Sequence, residues 1–140
     1  MSKRRVVVTG LGAVTPVGND VATTWQNIVA GKSGVGRITR FDPTAFASQI
    51  AGEVKDFDVT QFIPAKDARR MDRFVHLGLA AGIEAFKDSG LEVTDQNSER
   101  IGVNIGSGIG GLPMIEDTHN EYLAAGPRKI SPFFIPGTII

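Results

Sequence analysis

A group of four cations could bind an anionic partner. They are spaced i, i+3, i+4 and i+7 within a segment that predicts one helix over residues 66–89: Lys66, Arg69, Arg70 and Arg73. They would line up on one side near the helix N-terminus, where the macrodipole disfavours cations, which favours a role other than helix stability. Such a patch attracts an acidic partner through electrostatic steering and charge-assisted hydrogen bonds. The alternative is an ordinary solvated face that Asp67 and Asp72 partly neutralise.

Metal and nucleophile chemistry is limited by two histidines and no cysteine. The lack of cysteine excludes a disulfide framework, a Cys-ligated zinc or iron–sulfur site and a cysteine nucleophile within this chain. His76 and His119 lie far apart in sequence. Glu116 and His119 share an i, i+3 face, but a solvated helix face is the better interpretation of that pair. The sequence therefore predicts no metal site and no cofactor.

Three short motifs imitate nucleotide or hydrolase signatures, and each fails at a required position. Gly10-Leu11-Gly12 begins like a dinucleotide fingerprint, but Thr15 occupies the position of the third glycine. Gly31-Lys32-Ser33 resembles the end of a P-loop, but the first glycine of that motif is replaced by Gln26. Ser107 lacks the glycine that a hydrolase elbow places two residues earlier. We interpret residues 10–12, the first glycine turn, as a tight strand-to-loop connection.

Residues 106–111, the second glycine turn, have the sequence GSGIGG and allow two interpretations. The turn could pack closely against a neighbouring strand, where side chains would not fit. It could instead form one wall of a substrate channel, with Ile109 projecting an apolar group into the space. The residues of the turn leave both possibilities open.

The elements that would position these groups alternate between β-branched runs and amphipathic segments. Asn19 or Asp20 can cap a helix whose apolar residues at 21, 25, 28 and 29 predict a buried stripe, and Gly31 can end it. Glycines and a proline predict a loop over 31–49. The remaining predicted elements are strands at 5–12, 50–54 and 100–105, and helices at 66–89, at 113–125 and from 133 onward. The pattern predicts an α/β fold.

Composition narrows the class of protein further. The chain has 140 residues, 15 Lys+Arg and 15 Asp+Glu, so its formal net charge is zero and favours neither nucleic acid nor an anionic membrane. No apolar run reaches the length of a membrane span, and the N-terminus is typical of a strand rather than a signal peptide, so we expect a cytoplasmic protein. Length predicts a single domain over 1–140. The apolar segment 137–140 is unusual for a natural terminus, so we expect a truncated domain.

Taken together, the chain resembles the N-terminal third of the β-ketoacyl-acyl-carrier-protein synthases, the condensing enzymes of type II fatty acid synthesis. The resemblance covers nearly the whole chain in order, and Ile109 with residues 128–136 is more similar to the synthase II branch than to synthase I. The segments that carry it are VVVTGLGAVTPVG at 6–18, Trp25, GKSG at 31–34, Phe41-Asp42, RMDRF at 70–74, GSGIGG at 106–111 and GPRKISPFFIP at 126–136.

The resemblance implies a thiolase-like α/β fold of five layers, α/β/α/β/α, of which this chain would form most of the N-terminal half. It implies an obligate homodimer that takes acyl and malonyl groups from acyl carrier protein. A cysteine accepts the acyl group, malonyl carrier protein loses carbon dioxide, and the carbanion attacks the thioester while two histidines stabilise the oxyanion. In the family these three residues follow the segment that matches Ile140. We therefore expect the chain alone to be inactive.

Six residues of this chain match binding positions of the family. Lys66, Arg69 and Arg70 match the contact surface for the acidic carrier protein. Ile109 matches the floor of the acyl pocket, with Gly108 providing room beside it. Phe134 matches a residue that closes the pocket from across the dimer interface. The alternatives are a non-catalytic relative, such as the chain-length partner of a polyketide synthase pair, and a free-standing dinucleotide-binding domain.

Overall fold

We describe residues 3–139 from a computed structural model, in which the chain forms two compact units. The first unit contains the chain up to Phe57 together with Ala81–Leu91, and the second contains Asp58–Ala80 and the chain from Glu92 onward. We number the helices and strands in chain order as α1 Val21–Val29, β1 Val35–Arg37, β2 Ile50–Gly52, α2 Ala65–Ala68, α3 Arg73–Asp88, α4 Leu112–Ala125 and α5 Phe134–Thr138. Among the described residues, no helix has the length and apolarity that a membrane crossing requires.

Helix α1 begins and ends where local chemistry predicts. The Asp20 carboxylate accepts hydrogen bonds from the Thr23 backbone N–H at 2.6 Å and from its hydroxyl at 2.8 Å, and these bonds lower the pKa of Asp20. Gly31 follows the helix with a φ of +69°, as expected of a glycine stop. The predicted burial of its apolar stripe is wrong, because Trp25 is 66% exposed and Thr24 is the buried residue of this helix.

A two-stranded antiparallel sheet follows α1. Strand β2 confirms the first three residues of the predicted strand at 50–54, and Val35 pairs with Gly52 in its register. Strand β1 lies in the segment predicted to be a loop, so that prediction is wrong for 35–37. A side-chain bond joins the segments that follow the two strands: the Glu53 carboxylate accepts from the Thr39 hydroxyl at 2.7 Å. This bond lowers the pKa of Glu53. Cross-strand bonds of this kind outweigh the local glycine signal.

The predicted strands at 5–12 and 100–105 do not form in the described residues. Both segments lack ladder hydrogen bonds, and Val6 and Val103 are 90% and 85% exposed. A β-branched run sets a preference for extended backbone, but a strand needs a partner to satisfy its backbone groups. Composition alone therefore overestimated the strand content of these segments.

The single helix predicted over 66–89 is two helices, α2 and α3, with a break between Ala68 and Arg73. The break is held by Asp72, which is only 7% exposed and donates its backbone N–H to the Gly137 carbonyl at 3.0 Å. Since Arg73 begins α3 whereas Lys66 lies on α2, the four cations do not share one helix face, and that prediction is wrong. Lys66, Arg69 and Arg70 remain neighbours in and just after α2.

Helices α4 and α5 agree with the predicted helices at 113–125 and from 133 onward. Gly126 ends α4 with a φ of +78°, a backbone conformation that favours glycine. The Ser131 hydroxyl accepts from the Phe133 N–H at 3.1 Å just before α5. Both helices belong to the second unit, in which Ala68, Val75 and Ala80 are the buried apolar residues.

Candidate functional site

The three residues assigned to carrier binding, which we call the cationic surface, differ in how freely they can act. Lys66 and Arg69 are exposed. The Arg70 guanidinium lies 4.3 Å from the centre of the Phe133 ring, and its Nη1 lies 3.9 Å from an Asp67 carboxylate oxygen. A cation over an aromatic face is attracted by the ring quadrupole, so Arg70 also stabilises the local fold. Lys66 and Arg69 are therefore better suited to meet an external anion.

His76 has a structural contact rather than a catalytic one. Its Nε2 lies 2.8 Å from the Ala68 carbonyl oxygen, which joins α3 to the last residue of α2. Within residues 3–139, no group of three or more metal-binding side chains lies close enough together to hold an ion. We assign neither His76 nor His119 a chemical role.

The second glycine turn is open over most of its length. A Cβ placed on Gly106 or Gly108 would have no neighbour within 4 Å, and Ile109 is 78% exposed. Ser107 closes the turn, because its hydroxyl accepts from the Gly110 N–H at 3.1 Å. The turn therefore does not pack closely against a strand at Gly106 or Gly108.

The end of this turn is tightly anchored, in contrast to its middle. Gly111 is buried, and a Cβ there would lie 3.1 Å from the Asp72 Cβ and 3.1 Å from the Thr138 Cα. The Asp72 carboxylate accepts from the Met114 N–H at 2.9 Å, in the first turn of α4. The sequence indicates for Asp72 only a charge that partly neutralises the cations. The available signal was the absence of a capping side chain at Gly111, since a helix N-terminus needs acceptors from elsewhere.

The residues assigned to the acyl pocket are placed unequally. Phe134 is half-buried at the start of α5, whereas Ile109 projects into solvent. An apolar cleft of about 310 Å³ lies in the same unit, but Gly108, Ile109 and Phe134 are not among its lining residues. It is lined by Val75, Leu79, Val103, Asn104, Ile105 and Ile139. The assignment of the three residues to an acyl pocket therefore stays a prediction.

Backbone N–H groups in and near the first glycine turn donate to carboxylates of the chain itself. Asp88 accepts from the Leu11 N–H at 2.9 Å, and Glu84 accepts from the N–H groups of Ala13 and Val21, both at 2.8 Å. A Cβ on Gly12 would collide with the Ala81 carbonyl oxygen of α3. Backbone N–H groups that a dinucleotide phosphate would need are thus already used. This geometry favours the structural interpretation of the turn.

Comparison with known protein families gives a match over almost the entire chain. The family model described as the N-terminal domain of beta-ketoacyl synthase matches residues 3–139. Curated relatives named 3-oxoacyl-[acyl-carrier-protein] synthase 2 from Vibrio harveyi and Vibrio cholerae are each 56% identical over all 140 residues, which is 34% of their own length. A relative of the same name from Staphylococcus aureus is 48% identical over 133 residues, 95% of this chain and 32% of its own. The chain thus spans about a third of these relatives.

Two solved structures that share this fold are described as ketosynthases. The ishigamide ketosynthase/chain length factor superposes with a TM-score of 0.75 and 29% identity, covering 98% of this chain and 34% of its own. A type II polyketide ketosynthase, solved in complex with its acyl-carrier protein, superposes with a TM-score of 0.72 and 30% identity, covering 91% of this chain and 34% of its own.

These likenesses confirm the predicted α/β fold class, a partial domain of the thiolase-like ketosynthase type. They agree with a family model that takes in every residue from 3 to 139. The chain belongs to the β-ketoacyl synthase family, whose N-terminal domain it matches.

Proposed function

We propose that this chain corresponds to the N-terminal third of a β-ketoacyl-acyl-carrier-protein synthase II. That enzyme elongates a fatty acyl group on carrier protein by decarboxylative condensation with malonyl carrier protein. The observation that carries the proposal is the 56% identity, over all 140 residues, to relatives named 3-oxoacyl-[acyl-carrier-protein] synthase 2. By this proposal the complete enzyme is a cytoplasmic homodimer without a cofactor, and this chain alone does not condense substrates.

The contribution of this chain would be binding rather than bond formation. Lys66 and Arg69 are exposed and Arg70 is held beside them, which suits recognition of an acidic carrier protein. Gly108 and Ile109 would line the acyl pocket, and Phe134 would close it from the other protomer. The open space around Gly108 supports this role, because the Ile109 side chain has room to change rotamer.

A chimera tests the proposed function. This chain replaces the matching third of the Vibrio harveyi relative, and the hybrid is assayed for β-ketoacyl carrier protein formed from acyl and malonyl carrier protein. We expect activity within about tenfold of the parent, because this chain and the segment it replaces are 56% identical. The isolated chain and a chimera whose nucleophilic cysteine is replaced by alanine are the inactive controls. A folded, dimeric chimera without activity would contradict the proposal.

Charge reversal in the chimera tests the cationic surface. Lys66→Glu with Arg69→Glu should weaken carrier-protein binding by at least about tenfold and flatten its dependence on salt, because exposed cations act mainly through long-range attraction. The matched control is Lys87→Glu, an exposed cation in the last turn of α3. Binding measured by fluorescence anisotropy at two salt concentrations reports both effects. Equal affinity of the double variant and the parent chimera would remove the assignment.

A second candidate is a non-catalytic chain-length-factor-like protein. It is favoured by the superposition on the ishigamide ketosynthase/chain length factor, at 29% identity. The 56% identity to relatives named as synthases outweighs it. The complete gene distinguishes the two, because a synthase encodes the catalytic cysteine and a chain length factor does not.

A further inference from the structure

We propose that Asp72 is the positioning residue that fixes the second glycine turn against α5. The proposal deepens the proposed function and rests on it, because these two segments carry Ile109 and Phe134. Asp72 lies between α2 and α3 and is 7% exposed. A buried carboxylate needs a hydrogen-bond partner, and Asp72 is bonded to two separate segments, to one through its carboxylate and to the other through its backbone N–H.

The first partner is the N-terminus of α4. Gly111 precedes this helix and offers no side chain to cap it, and Pro113 has no N–H. The N–H of Met114, the third residue of the helix, donates to Asp72 Oδ2 at 2.9 Å. A residue 42 positions away thus does the work of a local capping side chain. The position of the turn that leads into α4 depends on this bond.

The second partner is α5. The Asp72 backbone N–H donates to the Gly137 carbonyl at 3.0 Å. A Cβ on Gly137 would collide with the Arg70 carbonyl oxygen, so the break between α2 and α3 lies directly against α5. Gly111 lies between this break and α5. A Cβ placed on it would be 3.1 Å from the Asp72 Cβ and 3.1 Å from the Thr138 Cα. Asp72 therefore sets the separation of the turn and the helix.

Removal of the carboxylate should release the turn while leaving the reacting groups unaffected. A long acyl chain would reach Ile109 at the floor of the pocket, whereas a short one would end before it. Small misplacements of positioning groups cost large factors in rate. Loss of Asp72 should therefore act on chain-length selectivity rather than on all substrates alike.

The experiment compares Asp72→Ala and Asp72→Asn in the active chimera. The ratio of kcat/KM for tetradecanoyl to hexanoyl carrier protein should fall about tenfold in Asp72→Ala. Asp72→Asn should restore most of the ratio, because the amide oxygen can still accept from the Met114 N–H. Amide hydrogen exchange should rise in Asp72→Ala at residues 107–116 but not at 134–138, because the backbone bond from Asp72 to Gly137 remains. The matched control is Asp88→Ala, which removes another carboxylate that accepts from a backbone N–H, that of Leu11.

An equal loss for both chain lengths, without rescue by asparagine, would overturn the assignment. If Asp72→Ala does not fold, Gly111→Ala tests the same junction, because its Cβ would press on Asp72 and should lower the ratio likewise. A wild-type chimera that is folded but inactive would contradict the proposed function alone. Hydrogen exchange of that chimera with and without the Asp72 carboxylate would still decide whether the carboxylate holds the turn.

Discussion

Two glycine turns of this chain have similar sequences and opposite surroundings. The first, at residues 10–12, is packed on α3, where a Cβ on Gly10 or Gly12 would collide with backbone atoms. The second, at residues 106–111, has open space at Gly106 and Gly108 and becomes anchored only at Gly111. The first turn ends one predicted strand, at 5–12, and the second follows another, at 100–105. The glycines of the first turn therefore allow close backbone packing, whereas Gly106 and Gly108 leave open space.

The hydrogen bonds of the two turns show the same contrast. Glu84 and Asp88 accept three backbone N–H groups in and near the first turn. The N–H of Gly110 in the second turn donates to the exposed Ser107 hydroxyl, a neighbour in sequence. A turn fixed by distant carboxylates is part of the scaffold, whereas the middle of the second turn, which is closed only by its own residues, can move. This difference favours a structural role for the first turn and a binding role for the second.

The largest expected effect that tests this contrast is steric. Gly12→Ala should lower the free energy of unfolding by about 3 kcal/mol, because its Cβ must displace the α3 backbone at Ala81. Gly106→Ala should raise it by about 0.5 kcal/mol, because the new methyl group meets nothing and restricts the unfolded chain. Urea unfolding of the 140-residue chain, followed by Trp25 fluorescence and circular dichroism, measures both. Similar values for the two variants would abolish the distinction between the turns.

A smaller effect should come from the carboxylates. Glu84→Ala leaves the N–H groups of Ala13 and Val21 without their acceptor and should cost about 2 kcal/mol of stability. Glu84→Gln should cost about half as much, because one carbonyl oxygen remains to accept. Ser107→Ala in the second turn should cost only about 0.5 kcal/mol, since its partner N–H is exposed to water. The same unfolding assay applies, and a Ser107→Ala loss as large as that of Glu84→Ala would argue that both turns are scaffold.

How much of the fold the sequence predicts depends on how far apart the interacting residues lie along the chain. The ends of α1 were predicted because Asp20 acts on Thr23 and Gly31 adopts a positive φ, both local effects. The contacts of Glu84 and Asp72 bridge 71 and 42 positions, and no local spacing encodes them. The predicted helix is likewise divided at Asp72, whose backbone bonds to distant α5.

The candidate site was predictable in identity more than in geometry. Local patterns indicated a cationic cluster and a glycine turn, and the family resemblance supplied their roles. Neither source predicted that Arg70 stacks on Phe133 or that Ile109 is exposed. Those properties depend on packing between segments that are distant in sequence.

The smallest expected effect on stability is the most informative about function. Ile109→Phe should change the free energy of unfolding by less than about 0.5 kcal/mol, because a side chain that is 78% exposed has little packing to lose. In the active chimera it should nevertheless lower kcat/KM for tetradecanoyl relative to hexanoyl carrier protein by about 30-fold, since the larger ring would fill space that only long chains use.

The control for this substitution is Leu123→Phe, on an exposed face of α4 with 68% exposure, which should alter neither quantity. The comparison separates two kinds of exposure. An apolar side chain on an ordinary surface can be enlarged without consequence, whereas one that completes a pocket in the whole enzyme cannot. Equal loss at both chain lengths, or no loss at either, would show that Ile109 does not line a pocket that long chains use. The second glycine turn would then be an exposed loop, and its difference from the first would concern packing alone.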